Sequence, residues 1–219
     1  SHIKDGIFYL LTVSLSDGSM TETPIEEMYS PIIQMPSCTD GQIVYASRTS
    51  DNACQVCIYD PAGDQTTSFD LPIDSIYPVL PPIYIPESDL IYYADQETDF
   101  ILYPATQDII TPALPDTWED TIYVAADPLG DRISITDGNI ILLLNKDGTV
   151  SATIPSPGVA PIGLSFYDED HDGHSDILLV PYNNGSLYRY TIDQGTFIGK
   201  SDISLYRNNT DYTSFEYDF

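Results

Sequence analysis

Short apolar segments recur along this chain at an interval of about 43 to 47 residues, and this period constrains the fold more than any other feature. Four such segments begin near Ile43, Leu90, Ile133 and Ile177, and each is followed after a turn by another: CQVCIYD, DFILYPA, NIILLLN and GSLYRYT. They are rich in Ile, Val, Tyr and Thr and lie between clusters of Gly, Pro, Asn and Asp, which is typical of short β-strands. The sequence therefore predicts an all-β repeat protein.

Two further segments complete each unit, a leading one (SPIIQM, YPVLPPIYI, TIYVAA, PIGLSFY) and a trailing one (TTSFDLP, IITPALP, VSATIPS, GTFIGK). Four strands in a unit of this length make one propeller blade. At the ends, residues 5–18 are similar to the third strand of a blade with its turn, at 137–148, whereas ISLYRNN and TSFEYDF read as a first and a second strand. We therefore predict a five-bladed β-propeller of four-stranded antiparallel blades, closed by N- and C-terminal strands that share one blade. The alternative is a piece of a longer propeller of six to eight blades.

The N-terminal residues indicate where the folded domain begins. Residues 1–4 are interpreted as a tag remnant and lead, because the chain opens on Ser-His without Met, and 5–219 as a single propeller domain. We expect a chain trimmed of a signal or an anchor.

The cysteine count is odd, with Cys38, Cys54 and Cys57, and this excludes a fully paired disulfide framework. Since Cys54 and Cys57 are three apart on a strand, they point to opposite faces, which favours buried structural thiols over a zinc or redox pair.

The charge balance restricts the partners. Acidic residues number 34 against 7 basic ones, a net charge of -27 that would repel nucleic-acid phosphates and anionic lipid heads. No run approaches the roughly 20 apolar residues that span a bilayer. We therefore expect no nucleic acid and no membrane insertion. Such acidity fits a salty or calcium-rich exterior, although solubility alone also accounts for it. We expect a monomer that is secreted or lies at the cell surface.

A nine-residue loop, DEDHDGHSD at 168–176, carries the clearest chemistry. Three aspartates alternate, Gly173 follows them, and a fourth aspartate comes three residues later. Ca²⁺ takes six to eight oxygen ligands, and alternate carboxylates around a tight glycine turn present oxygens to one point. His174 is expected to give its backbone carbonyl. The predicted cofactor is one Ca²⁺, and its predicted ligands are Asp168, Asp170, Asp172, His174 and Asp176.

The acidic residues of this loop also allow other interpretations of its structure and of the ion that it binds. The spacing is that of a helix-loop-helix calcium loop, but Leu179 replaces the final Glu and strands flank the segment, which excludes that fold. A bare acidic surface loop and a site for Mn²⁺ or Mg²⁺ remain as alternatives. A transition-metal site is disfavoured, because the side chains of His171 and His174 would point outward from an oxygen-rich loop.

The pattern D-x-D-x-D-G-x-x-D, preceded by an aromatic residue and followed by Ile-Leu-Leu, resembles the FG-GAP or VCBS-type repeats of integrin-like propellers. The resemblance is close for one repeat of about 45 residues. Elsewhere only the strand rhythm is similar, since the equivalent turns PSCTDGQ, PESDL and DPLGDR lack the carboxylates. It implies one calcium ion that stabilises its blade.

The resemblance implies a non-catalytic extracellular recognition or adhesion module with a protein or glycan partner. A five-bladed glycoside hydrolase or a lectin is one alternative, with acids near first-strand ends at Asp40, Glu87, Asp89 and Asp127. No G-x-S-x-G or Gly-rich phosphate loop occurs, and we expect no catalytic residue. The other alternative is a pilus-associated PilY-type propeller, whose Gly-x-Leu-aromatic-Arg-aromatic turn is matched by Gly185, Leu187, Tyr188, Arg189 and Tyr190.

Overall fold

The fold is all-β, as predicted. The computed structural model describes residues 2–4, 7–14, 16–25, 37–39, 41–49, 51, 53–63, 65–74, 80–96, 98–127 and 132–202. Within these ranges the chain forms nineteen strands and one short 3₁₀ helix, Pro86–Ser88. Among the same residues there is no helix of the length and apolar character that crossing a bilayer requires. The strands form five antiparallel sheets, and in each sheet neighbouring strands are consecutive in the chain.

We number the sheets in chain order. Sheet 1 has three described strands, β1 (His2–Lys4), β2 (Ile7–Val13) and β3 (Met20–Ile25). Sheet 2 has β4 (Ser37–Thr39), β5 (Gln42–Arg48), β6 (Cys54–Asp60) and β7 (Gln65–Leu71). Sheet 3 has β8 (Ile83–Ile85), β9 (Leu90–Tyr93), β10 (Phe100–Tyr103) and β11 (Asp108–Ile110). Sheet 4 has β12 (Tyr123–Ala126), β13 (Arg132–Thr136), β14 (Ile140–Asn145) and β15 (Val150–Pro155). Sheet 5 has β16 (Ser165–Tyr167), β17 (Ile177–Pro181), β18 (Ser186–Thr191) and β19 (Phe197–Asp202).

Neighbouring sheets pack face to face through the alternation of side chains along each strand. In sheet 3, Ile91, Tyr93 and Leu102 lie in one buried cluster with side chains of sheet 2. Their chain neighbours, including Tyr92 and Ile101, lie in a second cluster with sheet 4. A third cluster joins the other face of sheet 4 to sheet 5. The middle strands are therefore buried on both faces, which explains why they read as nearly continuous apolar runs.

The first strands of successive sheets also contact one another, β4 with β8, β8 with β12 and β12 with β16. The sheets are thus stacked with their first strands side by side. Because strand direction alternates, the turns after first and third strands share one end of each sheet, which we call the first-turn end. Loops between second and third strands, and the connections from one sheet to the next, lie at the opposite end, which we call the connector end.

The observed strand boundaries differ from the predicted ones where proline interrupts a strand and next to residues that the structure does not describe. The predicted strand IITPALP ends at Ile110, because Pro112 and Pro115 have no N–H to donate to a ladder. The predicted SPIIQM strand, at 30–35, lies outside the described residues, and the first strand of sheet 2 is Ser37–Thr39.

Sheet 1 includes residues that the sequence repeat did not assign to a strand. The segment 2–4, interpreted from sequence as lead, pairs with β2, with Lys4 opposite Ile7 and His2 opposite Tyr9. The segment expected to complete this sheet, 203–219, lies outside the described residues, and so does the predicted sharing of a blade by the two chain ends.

Two cysteines lie on β6 as expected. Cys54 and Cys57 are buried and form no disulfide. Cys54 packs in the cluster between sheets 2 and 3, whereas the sulfur of Cys57 lies 3.4 Å from the hydroxyls of Ser47 and Ser68. Both act as small core residues at the positions they occupy. The side chain of Cys38 lies outside the described residues.

Candidate metal centre

The acidic loop 168–176 joins β16 to β17 at the first-turn end of sheet 5. Its two ends are fixed by the ladder, in which Tyr167 pairs with Ile177, and by a 3.0 Å hydrogen bond from the amide of Asp176 to the carbonyl of Tyr167. Between them the backbone turns sharply, and it reaches positive φ at His171 (61°) and Gly173 (93°). Glycine suits such a conformation because it has no Cβ. The segment is therefore a closed hairpin loop.

Backbone amides hold each aspartate within this loop. Asp168 accepts hydrogen bonds from the amides of His171 (2.7 Å) and Gly173 (3.0 Å). Asp170 accepts one from the amide of Asp172 at 3.1 Å, and Asp172 one from His174 at 2.9 Å. Short-range bonds of this kind are how Asp side chains shape turns. The local sequence thus positions its own carboxylates.

Three of these carboxylates converge. One carboxylate oxygen from each of Asp168, Asp170 and Asp176 lies within 4.8 Å of the other two. Two oxygens that bind one Ca²⁺ at 2.3 to 2.6 Å can be at most about 5 Å apart, so the observed spacing fits a shared ion. Three negative charges at this distance repel one another, and a divalent cation between them removes that repulsion. The arrangement can therefore hold a metal ion.

The remaining predicted ligands lie in the same loop but outside this group of three. Asp172 turns one oxygen toward the amide of His174, and the imidazole of His174 is not part of the cluster. The prediction for His174 concerned its backbone carbonyl. The sequence therefore placed all five residues on one loop, and the structure brings the carboxylates of three of them together.

The ionised state of the Asp168 carboxyl favours cation binding. Removal from water raises the pKa of this carboxyl, but the amides of Gly173, His171 and Asp172 outweigh that effect and hold the pKa below its usual range. Asp168 is therefore ionised at neutral pH and presents a charged oxygen to a cation.

The loop is attached to its surroundings at three points. The hydroxyl of Ser175 donates to Asp127, which follows β12 in sheet 4, at 2.7 Å, and both side chains are buried. Arg189 on β18 forms an ion pair with Glu169. The amide of Ile192 donates to the carbonyl of Asp176 at 3.2 Å. The candidate metal loop is thus fixed to the rest of sheet 5 and, through one buried hydrogen bond, to sheet 4.

Sequence reasoning missed this connection between the sheets. From the sequence, Asp127 is a candidate only as an acid of a glycoside hydrolase, and no motif selects Ser175. Their partnership joins residues 48 positions apart, with no local pattern that signals it. Of the other candidate acids, Asp89 accepts a hydrogen bond from the amide of Ala105 at 2.6 Å, which links the turns after β8 and β10 in sheet 3. Asp40 and the side chain of Glu87 lie outside the described residues.

The turn considered for a pilus-type propeller forms in sheet 5. Gly185 has a φ of 81° and donates to the carbonyl of Tyr182 at 2.9 Å. The following strand places Tyr188 and Tyr190 against Phe197. Tyr190 is buried, whereas Phe197 on the last strand is exposed. Tyr190 also lies in the buried cluster between sheets 4 and 5, and Tyr188 packs against that cluster.

Comparison with known proteins does not place the chain in a family. No protein-family model matches the sequence, and no curated protein matches it at a significant level.

Proposed function

We propose that this chain is a non-catalytic extracellular recognition or adhesion module whose scaffold is stabilised by one calcium ion. The observation that carries the proposal is the convergence of the Asp168, Asp170 and Asp176 carboxylates within 4.8 Å, on a loop that a buried hydrogen bond joins to the next sheet. An ion at this position stabilises the loop, and the loop in turn contacts two sheets.

The donor set favours calcium. The converging groups are all carboxylates, with no thiol or imidazole among them, and hard oxygen donors suit Ca²⁺, Mg²⁺ and Mn²⁺. Mg²⁺ requires nearly ideal octahedral geometry, whereas Ca²⁺ accepts six to eight oxygens in a flexible arrangement. A loop whose Asp172 side chain and His174 carbonyl can add further oxygens suits the larger ion.

The fold within this proposal is a five-bladed propeller of the FG-GAP or VCBS type. The stacking of sheets 2 to 5 and the contacts between their first strands support it, because blades arranged around an axis pack in this way. Sheet 1 supplies the fifth blade, which the residues after 202 complete. A closed ring leaves only short sheet edges, which disfavours aggregation of a secreted protein.

An extracellular setting follows from the ion and the charge. Extracellular calcium modules bind with dissociation constants of about 10⁻⁴ to 10⁻³ M, affinities that need the abundant calcium outside cells. The net charge of -27 is screened by the same ions. The partner is a protein or a glycan, and the loops away from the metal centre are available to bind it.

Calorimetry and thermal unfolding test the metal part of this proposal. The intact chain, stripped with EDTA, is titrated with CaCl₂, MgCl₂ and ZnCl₂, and its melting temperature is recorded at each concentration. At a calcium concentration 100 times the dissociation constant, binding adds about 2.7 kcal/mol to the unfolding free energy. For a chain of this size that raises the melting temperature by roughly 5 to 11 °C. A melting temperature that calcium does not change would contradict the proposal.

The recognition part is tested separately. A glycan array and a hydrolysis assay with chromogenic arabinosides and fructosides are run with calcium and with EDTA. Glycan binding without turnover supports a lectin-type module, and turnover would overturn the non-catalytic assignment.

A further inference from the structure

A cleft of about 360 Å³ lies at the connector end of the stack, between sheets 3 and 4. One side is the loop after β9, including Asp95 and Asp99, and the other is the connection at 111–121 that leads to β12. The volume falls in the range of about 300 to 1,000 Å³ that small-ligand sites occupy. The metal loop is at the opposite, first-turn end, so the cleft is separate from the metal centre.

Two buried aspartates line this cleft, Asp95 (3% exposed) and Asp99 (4% exposed). The carboxylate of Asp95 accepts a 2.9 Å hydrogen bond from the hydroxyl of Tyr93, whose ring packs between sheets 2 and 3. Asp99 is bonded instead on the side of sheet 4. The phenol hydroxyl of Tyr92 and the hydroxyl of Thr121 each donate to Asp99 at 2.6 Å. Both donors are neutral, so the ionised form of Asp99 is hydrogen-bonded but receives no positive charge from them. A buried charge of this kind is stabilised by a cation that enters the cleft.

Trp118 is positioned relative to this carboxylate by a short chain of hydrogen bonds. Its indole N–H donates at 3.2 Å to the hydroxyl of Thr121, which in turn donates to Asp99. Part of the side chain packs on the core between sheets 3 and 4, and part lines the cleft. Leu114 and Pro115 line the same wall. An aromatic ring attracts cations through its electron-rich face, and the apolar wall suits carbon rather than water.

The charge of the cleft points to the class of ligand. Glu119 and Asp120 add two exposed carboxylates, and no lysine or arginine is among the described residues that line the cleft. A bare metal ion fits less well, because the described residues contain a converging group of three metal-binding side chains only at Asp168, Asp170 and Asp176. A cation with an apolar body matches both the carboxylates and the tryptophan.

We propose that the cleft lined by Trp118, Asp95 and Asp99 binds an organic ammonium ion, either a free alkylamine or the lysine side chain of a partner protein. The ammonium group lies toward the carboxylates, and its alkyl part contacts Trp118 and Leu114. This site gives a recognition surface to the end of the stack that lacks the metal loop.

Trp118 is the only tryptophan in the chain, so its fluorescence reports on this cleft. The intact, calcium-loaded protein is titrated with tetramethylammonium chloride, with Nα-acetyl-lysine methylamide, and with tert-butanol as a neutral compound of similar shape. The expected result is a saturable fluorescence change with the two cations and none with tert-butanol. Tighter binding of the lysine derivative identifies a partner side chain as the source, and tighter binding of tetramethylammonium identifies a free alkylammonium ion. A response that sodium chloride reproduces at equal ionic strength would overturn the proposal.

Variants distinguish the cleft from general attraction to an acidic surface. Asp99→Asn keeps the size of the side chain and removes its charge, and it should weaken ammonium binding about tenfold or more. Glu119→Gln, at an exposed position of the same cleft, provides a second test that leaves the core intact. The matched control is Asp116→Asn, which removes the same charge from the same connection outside the cleft. Equal loss of affinity in Glu119→Gln and Asp116→Asn, with unchanged melting temperatures, would exclude a defined site.

Discussion

The hydroxyl of Ser175 donates a 2.7 Å hydrogen bond to Oδ1 of Asp127, and this buried contact joins the candidate metal loop of sheet 5 to the first strand of sheet 4. Ser175 is 7% exposed and Asp127 3%. A metal ion that orders residues 168–176 therefore also orders the position of Ser175, and so acts on the boundary between two sheets.

Replacing Ser175 by alanine tests this contact. Loss of a buried hydrogen bond to a charged acceptor should lower the unfolding free energy by about 1.5 to 3 kcal/mol, as measured by urea denaturation with calcium present. Ser165→Ala is the control, because the Ser165 hydroxyl is exposed and bonds only to the adjacent Phe166 carbonyl at 3.3 Å. Equal effects of the two substitutions would contradict a role for Ser175 between the sheets.

Asparagine substitutions should weaken calcium binding more at the three converging carboxylates than at the other aspartate of the loop. Asp168→Asn should weaken calcium binding by more than about 100-fold. It removes a charged ligand, and this should cost more affinity than the roughly 10 to 100-fold that follows loss of an outer-shell partner. Asp172→Asn should weaken binding less, since Asp172 lies outside the group of three. Calorimetric titration measures both, and Asp116→Asn serves as the control. A larger effect at Asp172 than at Asp168 would mean that the ion lies elsewhere in the loop.

The buried Asp99 should make stability depend on pH. Burial raises the pKa of this carboxyl, the hydrogen bonds from Thr121 and Tyr92 oppose the rise, and the charge of Asp95 adds to it. Because the pKa is higher in the folded chain, folding favours the protonated form. The stabilisation is complete below the unfolded pKa of about 3.9 and is lost as the pH rises through the folded value.

Asp99→Asn removes this titration and keeps an oxygen that can accept from Tyr92. Relative to this variant, the wild-type chain should therefore lose stability as the pH rises above the unfolded pKa of about 3.9. Urea denaturation of both proteins at several pH values measures the difference. Parallel curves across that range would show that Asp99 has the same pKa in both states.

Cys54 and Cys57 should resist thiol reagents in the folded protein. Both side chains are buried, and burial raises the pKa of Cys54 and so disfavours its reactive thiolate. In a Cys38→Ser background, labelling with a chromogenic disulfide should require denaturant, and a reductant should leave the melting temperature unchanged. Rapid labelling of native protein would contradict the packing of β6.

Removal of residues 203–219 tests the proposed closure of the propeller. If these residues complete sheet 1, their deletion should lower the melting temperature and expose apolar surface that binds a hydrophobic dye. Deletion of 213–219 alone should have a smaller effect, because sheet 1 already has three strands and the predicted strand at 203–209 would complete four. An unchanged melting temperature in the longer deletion would contradict closure by the C-terminal segment.

Much of the fold could be predicted because its signals are local. Strand β6 has the predicted boundaries, since CQVCIYD is an unbroken run of strand-forming residues between turns. The loop at 168–176 was likewise evident from the spacing of its aspartates. What the sequence did not reveal depends on contacts between distant segments: the partnership of Ser175 with Asp127, and the meeting of Trp118 with Asp99 through Thr121. Neither leaves a periodic pattern, because each rests on how two sheets are stacked.

In the described sheets, every strand pairs with a strand adjacent to it in the chain. Each sheet can therefore form from a continuous stretch of polypeptide soon after that stretch leaves the ribosome, and it then offers an apolar face to the next one. Sheet 5, with its acidic loop, is the last of the described sheets to be synthesised. A cation bound at the proposed site would therefore act on a sheet whose packing partners in sheet 4 precede it in the chain.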